Sequence, residues 1–472
     1  MLVNPPYQTI TSNFGVGHQV PLGLLMVGGV LLDAGHDVTL LDAEALDLSH
    51  ARIADEVRRT RPDVVLTGHA GSTPAHPVTM EMLAAIRRAS PETRCVYGGV
   101  FPTYHDEQVL RQHPAVDVVV RGEGEATAAA LVSAWARGAD LSTVDGITYR
   151  SGDGTVRNPD RTAIRDLDAC RVGWELIDDW DRYQCFGRGR AAIVQLSRGC
   201  PHRCTYCGQH AFWKRWRYRD PVKLADEIEF LHREHDVRFV TLADENPTTI
   251  QRVWLDFLSA VAERDLDVQF FATIRATDIV RDAAHIDLYS RAGLRYVLMG
   301  IDTTDPDVIE QIRKRSSTKD DLTACRLLRE HGVYPIIGHI VGLGEETWAG
   351  LRRAGRALAM YDGDYLNAMY ATPHSWTEFA REQAHRRVVE SDQSRWDYRH
   401  QVLAERHLRP WQLFAAVKWL ELRFHLRPGR LRRLLLARDR QRRHEAWWNL
   451  RHTTMVWLME IVEFALRRRR LT

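Results

Sequence analysis

The 472-residue chain has no run of about 20 apolar residues, so it offers no candidate for a helix spanning a bilayer. Its first residues, Met1-Leu2-Val3-Asn4-Pro5-Pro6, lack a basic region followed by an apolar one. Nothing there reads as a secretory signal, and the cytoplasm is the expected compartment. Cysteine is scarce: Cys95, Cys170, Cys185, Cys200, Cys204, Cys207 and Cys325 make seven, an odd number spread over a long chain. That argues against a disulfide framework. No internal repeat is found, and no low-complexity tract apart from Arg467-Arg468-Arg469-Arg470.

What is present suits a large soluble enzyme. Apolar residues are 44% and charged residues 27%, enough for a sizeable core. At roughly 100–200 residues per domain, two or three domains are expected. Net charge is only +2, but from Trp396 onward 18 Lys plus Arg face 7 Asp plus Glu. The local excess of +11 leaves −9 for the remainder. The basic tail therefore seeks an anionic partner: the acidic remainder of the chain, or a surface with which it associates peripherally.

The first 140 residues alternate strand-like and amphipathic stretches. Val38–Leu41, Asp63–Thr67, Cys95–Tyr97 and Val116–Val120 read as short buried strands. With helices between them they predict a doubly wound, flavodoxin-like parallel sheet. Gly68, Ser72, Gly98, Gly99, Val100, Phe101, Gly122 and Glu123 fall at the carboxyl ends of these strands, the edge where such sheets bind ligands. The alternative is that the glycines only make tight turns. Residues 141–189, with a polar linker or hairpin at Asp153–Asp160, connect to a second β/α series over 190–373. Its strands are read at Ile193–Leu196, Phe239–Leu242, Val268–Thr273, Tyr296–Met299, Pro335–Val341 and Leu366–Tyr370. Six units are fewer than the eight of a closed barrel, so a partial (β/α)6 barrel is expected. Residues 374–472 read as mostly helical and rich in Trp and Arg.

Three cysteines fall in one segment, Ser197-Arg198-Gly199-Cys200-Pro201-His202-Arg203-Cys204-Thr205-Tyr206-Cys207, just after the first strand of the six. Thiolates spaced CxxxCxxC can wrap a 4Fe–4S cubane, leaving one iron free for a small chelating ligand. Zinc is the alternative, with His202 or His210 as a fourth ligand, although no second cysteine pair exists.

This motif, with Tyr206 inside it, resembles the radical S-adenosylmethionine (SAM) superfamily. The resemblance implies that Cys200, Cys204 and Cys207 hold the 4Fe–4S cluster and that the open iron chelates the methionine end of SAM. Reductive cleavage then yields a 5′-deoxyadenosyl radical that abstracts hydrogen from the substrate, with a reducing flavodoxin or ferredoxin as electron donor. It also implies SAM contacts from Tyr206, Glu245, Arg275, Asp302 and Gly342. Asp302 stands where the superfamily often has Glu, and Arg275 with Asp302 could instead form an ordinary ion pair.

A doubly wound domain ahead of such a barrel resembles the cobalamin-binding branch, with matching elements Gly68-His69-Ala70-Gly71-Ser72, Gly98-Gly99-Val100-Phe101-Pro102 and Arg121-Gly122-Glu123-Gly124-Glu125. The AspXHisXXGly motif that supplies a histidine to cobalt elsewhere is missing, and His36 in Ala34-Gly35-His36-Asp37 does not replace it. A domain that binds nothing is the alternative.

The likeness narrows at Phe212–Pro221, Leu242–Thr248, Thr372–Thr377 and Arg395–Leu403, which resemble the anaerobic magnesium-protoporphyrin IX monomethyl ester oxidative cyclases of bacteriochlorophyll synthesis. That implies a porphyrin substrate whose methylated propionate closes into the isocyclic ring of protochlorophyllide. His374 and Trp376 are then expected near the substrate, in a crevice capped by the carboxy-terminal segment. A cobalamin-dependent radical SAM C-methyltransferase is the second reading. A nucleic-acid-binding role for the basic tail is the third, but no nucleic-acid motif accompanies it and no such partner is expected.

Overall fold

The computed structural model describes residues 1–9, 17–69, 71–152, 154–435 and 440–468. Ala70, Asp153, Arg469 and Arg470 lie outside the described residues.

Short Val- and Leu-rich runs build the first sheet. Its strands are β1 (Leu2–Asn4), β2 (Leu40–Asp42), β3 (Val64–Gly68), β4 (Arg94–Gly98), β5 (Val118–Val120), β6 (Ile147–Ser151) and β7 (Gly154–Arg157). The order is β2-β1-β3-β4-β5-β6-β7, parallel through β5 and antiparallel at β6 and β7. Both faces are covered, as apolar parallel strands require. Successive residues go to opposite sides: Val3, Val65 and Tyr97 join the layer under the helices His50–Thr60 and Ala75–Ala89, while Leu2, Leu66 and Val96 join the layer under Leu22–Asp33 and Glu125–Ala136. The interior strand β1, second from the edge, is only three residues long and stops before Pro5, which has no N–H for a ladder. The polar hairpin near Asp153 is β6–β7, which extends the sheet beyond residue 140.

The connecting segment is a wedge held by aromatic anchors. Trp174, Trp180 and Tyr183 are buried in the main core. The Tyr183 hydroxyl donates to Asp42 at the end of β2 (2.8 Å), and Trp174 Nε1 donates to Glu227 of the second half (2.8 Å).

The second sheet holds β8 (Ala191–Val194), β11 (Phe239–Leu242), β12 (Gln269–Thr273), β13 (Leu294–Asp302), β14 (Tyr334–Val341) and β15 (Tyr365–Tyr370), all parallel and ordered β8-β11-β12-β13-β14-β15. This is the open six-strand arrangement. Between β8 and β11, the two-residue strands β9 (Ser197–Arg198) and β10 (Arg217–Tyr218) pair antiparallel and close the base of the cysteine loop. After β15 the chain is mostly helical: Pro410–His425 packs on β15 and on the helix Trp348–Tyr361, and Arg440–Arg468 follows.

Candidate functional site

The carboxyl ends of both sheets converge on a cavity of about 560 Å³. It lies beside β1 and β3, the switch point of a 2-1-3-4-5 sheet, where ligands of this fold bind. Gly68, Gly98, Gly99, Val100, Gly122 and Glu123 line one side; Gln195, Arg198, Trp213 and Glu245 line the other. The glycines serve two ends. A side chain at Gly68 would strike the Gly98 carbonyl oxygen at 2.7 Å, so this glycine is demanded by the neighbouring strand. Gly122 has φ of 73° and faces open space, with nothing within 4 Å of where its Cβ would be. This bare, mostly apolar cradle suits a large flat cofactor. Ser72 and Phe101 do not line it: Phe101 stacks on His76 at 4.1 Å, and Ser72 is a buried residue at φ 58° whose Oγ has no partner.

His69 and Glu44 also line the cavity: His69 belongs to the Gly68–Ser72 element without standing out in it, and Glu44 carries no motif signal. His69 Nδ1 accepts the Gly71 N–H (2.7 Å), and its Nε2 lies 3.4 Å from Glu44. Burial would raise the Glu44 carboxyl, but the neighbouring His18 and His69 imidazoles hold it down at about 2. His36 precedes β2, at the opposite end of that strand from this edge, and is not among the lining residues.

The cysteine loop forms a wall of the same cavity through Gln209, Phe212 and Trp213. Asp244, just past β11, accepts from the Leu196 and Ser197 amides (3.0 and 2.5 Å) and from the Ser197 hydroxyl (2.6 Å), and Glu245 accepts from the Gly199 amide (3.0 Å). Two consecutive carboxylates thus fix the entry to the loop. Cys200, Cys204 and Cys207 are free and half-buried. Burial raises the thiols of Cys200 and Cys207, the latter to about 11, and the neighbouring thiols raise both further. Among the described residues no three His, Cys, Asp or Glu side chains close on a single point. A cubane gives each thiolate its own iron, so such convergence is not required. Three soft donors without a fourth fit a 4Fe–4S cluster with one open iron.

Beyond the loop, the ends of β12 to β14 carry polar groups. The Tyr206 hydroxyl donates to Asp302 (2.5 Å), and Lys314 also pairs with that carboxylate. Asp302 sits at φ 64°, a backbone shape Asp tolerates better than most residues. Arg275 does not pair with Asp302: its guanidinium donates to the Lys314 and Arg315 carbonyls (2.6 and 3.1 Å). Arg275 Nε, Ser316 Oγ and His339 Nδ1 are buried without a protein partner. Orphaned polar atoms beside a cysteine loop fit a small polar ligand such as SAM. At Gly342 (φ 94°) the amide donates to Glu346 (2.9 Å), whose carboxyl burial pushes up to about 7.

His374 and Trp376 join the two halves. His374 is buried, with Nδ1 at 2.9 Å from Thr73 Oγ1 and Nε2 at 2.8 Å from the Tyr398 hydroxyl. Trp376 stacks on Tyr104 (5.1 Å) and donates to the Gly208 carbonyl (2.8 Å), next to Cys207. Neither is among the residues that line the cavity, and their side-chain polar atoms are engaged in contacts that join the two halves.

Comparison with known proteins agrees with this geometry. Residues 194–357 match the radical SAM superfamily, and residues 15–132 match the B12 binding domain. The chain is 42% identical over 470 residues to an anaerobic magnesium-protoporphyrin IX monomethyl ester cyclase of Synechocystis sp., covering 100% of this chain and 94% of that protein. A protein of the same name from Rubrivivax gelatinosus is 32% identical over 388 residues, covering 81% and 69%. In fold, the radical SAM methyltransferase TsrM from Kitasatospora setae, solved with cobalamin and a [4Fe–4S] cluster, superposes with a TM-score of 0.71 at 17% identity, covering 91% of this chain and 89% of that one. A CxxxCxxC loop beside a glycine-edged crevice, in a chain similar throughout its length to the Synechocystis cyclase, establishes that the protein is a cobalamin-binding radical SAM enzyme and belongs to the family of the anaerobic magnesium-protoporphyrin IX monomethyl ester cyclases.

Proposed function

We propose that the protein catalyses the anaerobic oxidative cyclisation of magnesium-protoporphyrin IX monomethyl ester, closing the isocyclic ring with water as oxygen source. The observation that carries this reading is the 42% identity to a named cyclase along the entire chain. When bound, the cluster, SAM and cobalamin supply one-electron chemistry able to remove hydrogen from an unactivated carbon. The chain's own residues do the positioning. Cys200, Cys204 and Cys207 hold the cluster. Tyr206, Arg275, Asp302 and Gly342 surround SAM at the ends of β12 to β14. Glu245 pins the loop entry between cluster and cavity. Gly98, Gly99, Val100 and Gly122 bed the cobalamin, while His374 and Trp376 hold the crevice shut against water.

A low-potential flavodoxin or ferredoxin delivers the electrons. A reducing cytoplasm suits both the cluster and seven unpaired cysteines. The test is anaerobic reconstitution with iron, sulfide and cobalamin, then incubation with SAM, reductant and the porphyrin ester in 18O-labelled water. Protochlorophyllide carrying the label is expected, together with 5′-deoxyadenosine. A methylated porphyrin with S-adenosylhomocysteine would instead identify a methyltransferase.

A further inference from the structure

The helices Pro410–His425 and Arg440–Arg468 leave large apolar side chains in solvent: Trp411 and Leu422 on the first, Trp447 (63% exposed), Leu458, Val462 and Leu466 on the second. On the second helix these lie at intervals of three to four residues or multiples of it, one face of a 3.6-residue period. The opposite faces are occupied. Leu413, Val417, Leu420 and Phe424 pack into the core, and Phe414 stacks on Phe464 at 4.2 Å between the helices.

Charge is sorted by sign over the same region. The carboxylates turn inward: Glu421 and Glu460 are buried around the Lys418 ammonium, and Glu463 faces His400 at 3.2 Å. Among the side chains described between 410 and 468, which do not include Asp439 and Glu445, Arg423, Arg432, Arg443 and Arg451 are exposed, and Glu421, Glu460 and Glu463 are not. The sequence adds the run Arg467-Arg468-Arg469-Arg470 just after this face.

An exposed apolar face with a cationic rim is the make-up of a helix lying in a bilayer interface, with tryptophan at headgroup depth. No helix of the described residues is long and apolar enough to cross a membrane. A second copy would bring a like-charged rim against this one, which repels. We propose that this surface docks the enzyme on an anionic lipid bilayer, the long helix lying along the headgroup layer. This is independent of the cyclase reading, although an apolar macrocycle would partition into the same layer.

The experiment is co-sedimentation of the full chain with vesicles of phosphatidylcholine alone or mixed with phosphatidylglycerol. Binding at least about ten-fold tighter to the mixed vesicles, weakened by added salt, is expected. The double variant Trp447→Gln/Leu458→Gln should lose about ten-fold in vesicle affinity with unchanged circular dichroism and iron content, since both residues are exposed. Equal binding to neutral vesicles, or binding to neither, would overturn the proposal. So would a concentration-dependent dimer in sedimentation velocity that the double variant dissolves, because the face would then join two copies.

Discussion

Arg198, two residues ahead of Cys200, donates to Glu123 on the edge of the first sheet at 2.7 Å, and it also pairs with Glu125. Arg217, opposite Arg198 on the β9–β10 hairpin, donates to Glu123 as well (2.8 Å). All four groups are buried or nearly so. The loop that carries the thiols is thus tied to the opposite wall of the crevice by ion pairs. Removing one partner of a buried pair leaves the other charge stranded, at about 3–5 kcal/mol. Arg198→Ala is therefore expected to lower the melting temperature and to loosen cobalamin binding even where iron content persists. A double-mutant cycle with Glu123→Gln should show coupling; additive losses would mean that the pair does not tie the loop.

Replacing Cys200, Cys204 and Cys207 together by Ala should remove all bound iron and abolish SAM cleavage, with the fold retained by circular dichroism. The thiols lie half-buried on a loop rather than in the core. Stoichiometric zinc without iron in the reconstituted wild-type protein would refute the cluster assignment.

Cobalamin is expected to bind with no protein nitrogen on cobalt. His69 is the histidine in the cavity, but Gly71 and Glu44 engage its two ring nitrogens. Electron paramagnetic resonance of the Co(II) form should be the same in 14N- and 15N-labelled protein, and His36→Ala should leave the optical spectrum unchanged. A nitrogen-isotope effect that vanishes in His69→Ala would place the imidazole on the metal.

Asp302→Asn should keep the left-handed backbone, because Asn also favours it, and should remove the charge that faces Lys314. At least a ten-fold loss of SAM affinity with normal iron content is the expected result, read by equilibrium binding. Unchanged affinity would leave the Tyr206–Asp302–Lys314 group a structural one.

His400 supplies a pH dependence. Burial would lower its pKa, but hydrogen bonds to Asp397 and Glu463 win and raise it to about 10. A base raised in the folded state stabilises fully below its unfolded value, roughly 6.5, and that stabilisation drains away as pH climbs toward 10. Denaturation curves between pH 6.5 and 10 should show declining stability in the wild type and a flatter profile in His400→Gln. Parallel profiles would contradict the ion cluster.

The Val118–Val120 and Phe239–Leu242 strands were legible because a buried parallel strand is a short apolar run wherever it occurs. β1 was not: three residues ending before Pro5 carry too little pattern, and the strand is interior only because β2 and β3 flank it. Asp302 was visible at a strand end, but its partner Lys314 was not, since the loop that returns the lysine has no signature.

The sequence by itself determined the chemistry that lies in contiguous residues. Three thiols within eight positions must sit on one loop, and the alternation around them specifies a sheet that presents that loop at its carboxyl edge. Only the tertiary structure decided how the two edges meet. Glu44 and His69, Arg198 and Glu123, and Thr73 and His374 are separated by 25, 75 and 301 positions; the first pair is made by the assembly of the first sheet, the other two by packing one half on the other. Side chains so far apart leave no spacing to read. Their contact depends on how apolar layers and buried charges fit across the crevice, which is a property of the folded surface rather than of any segment.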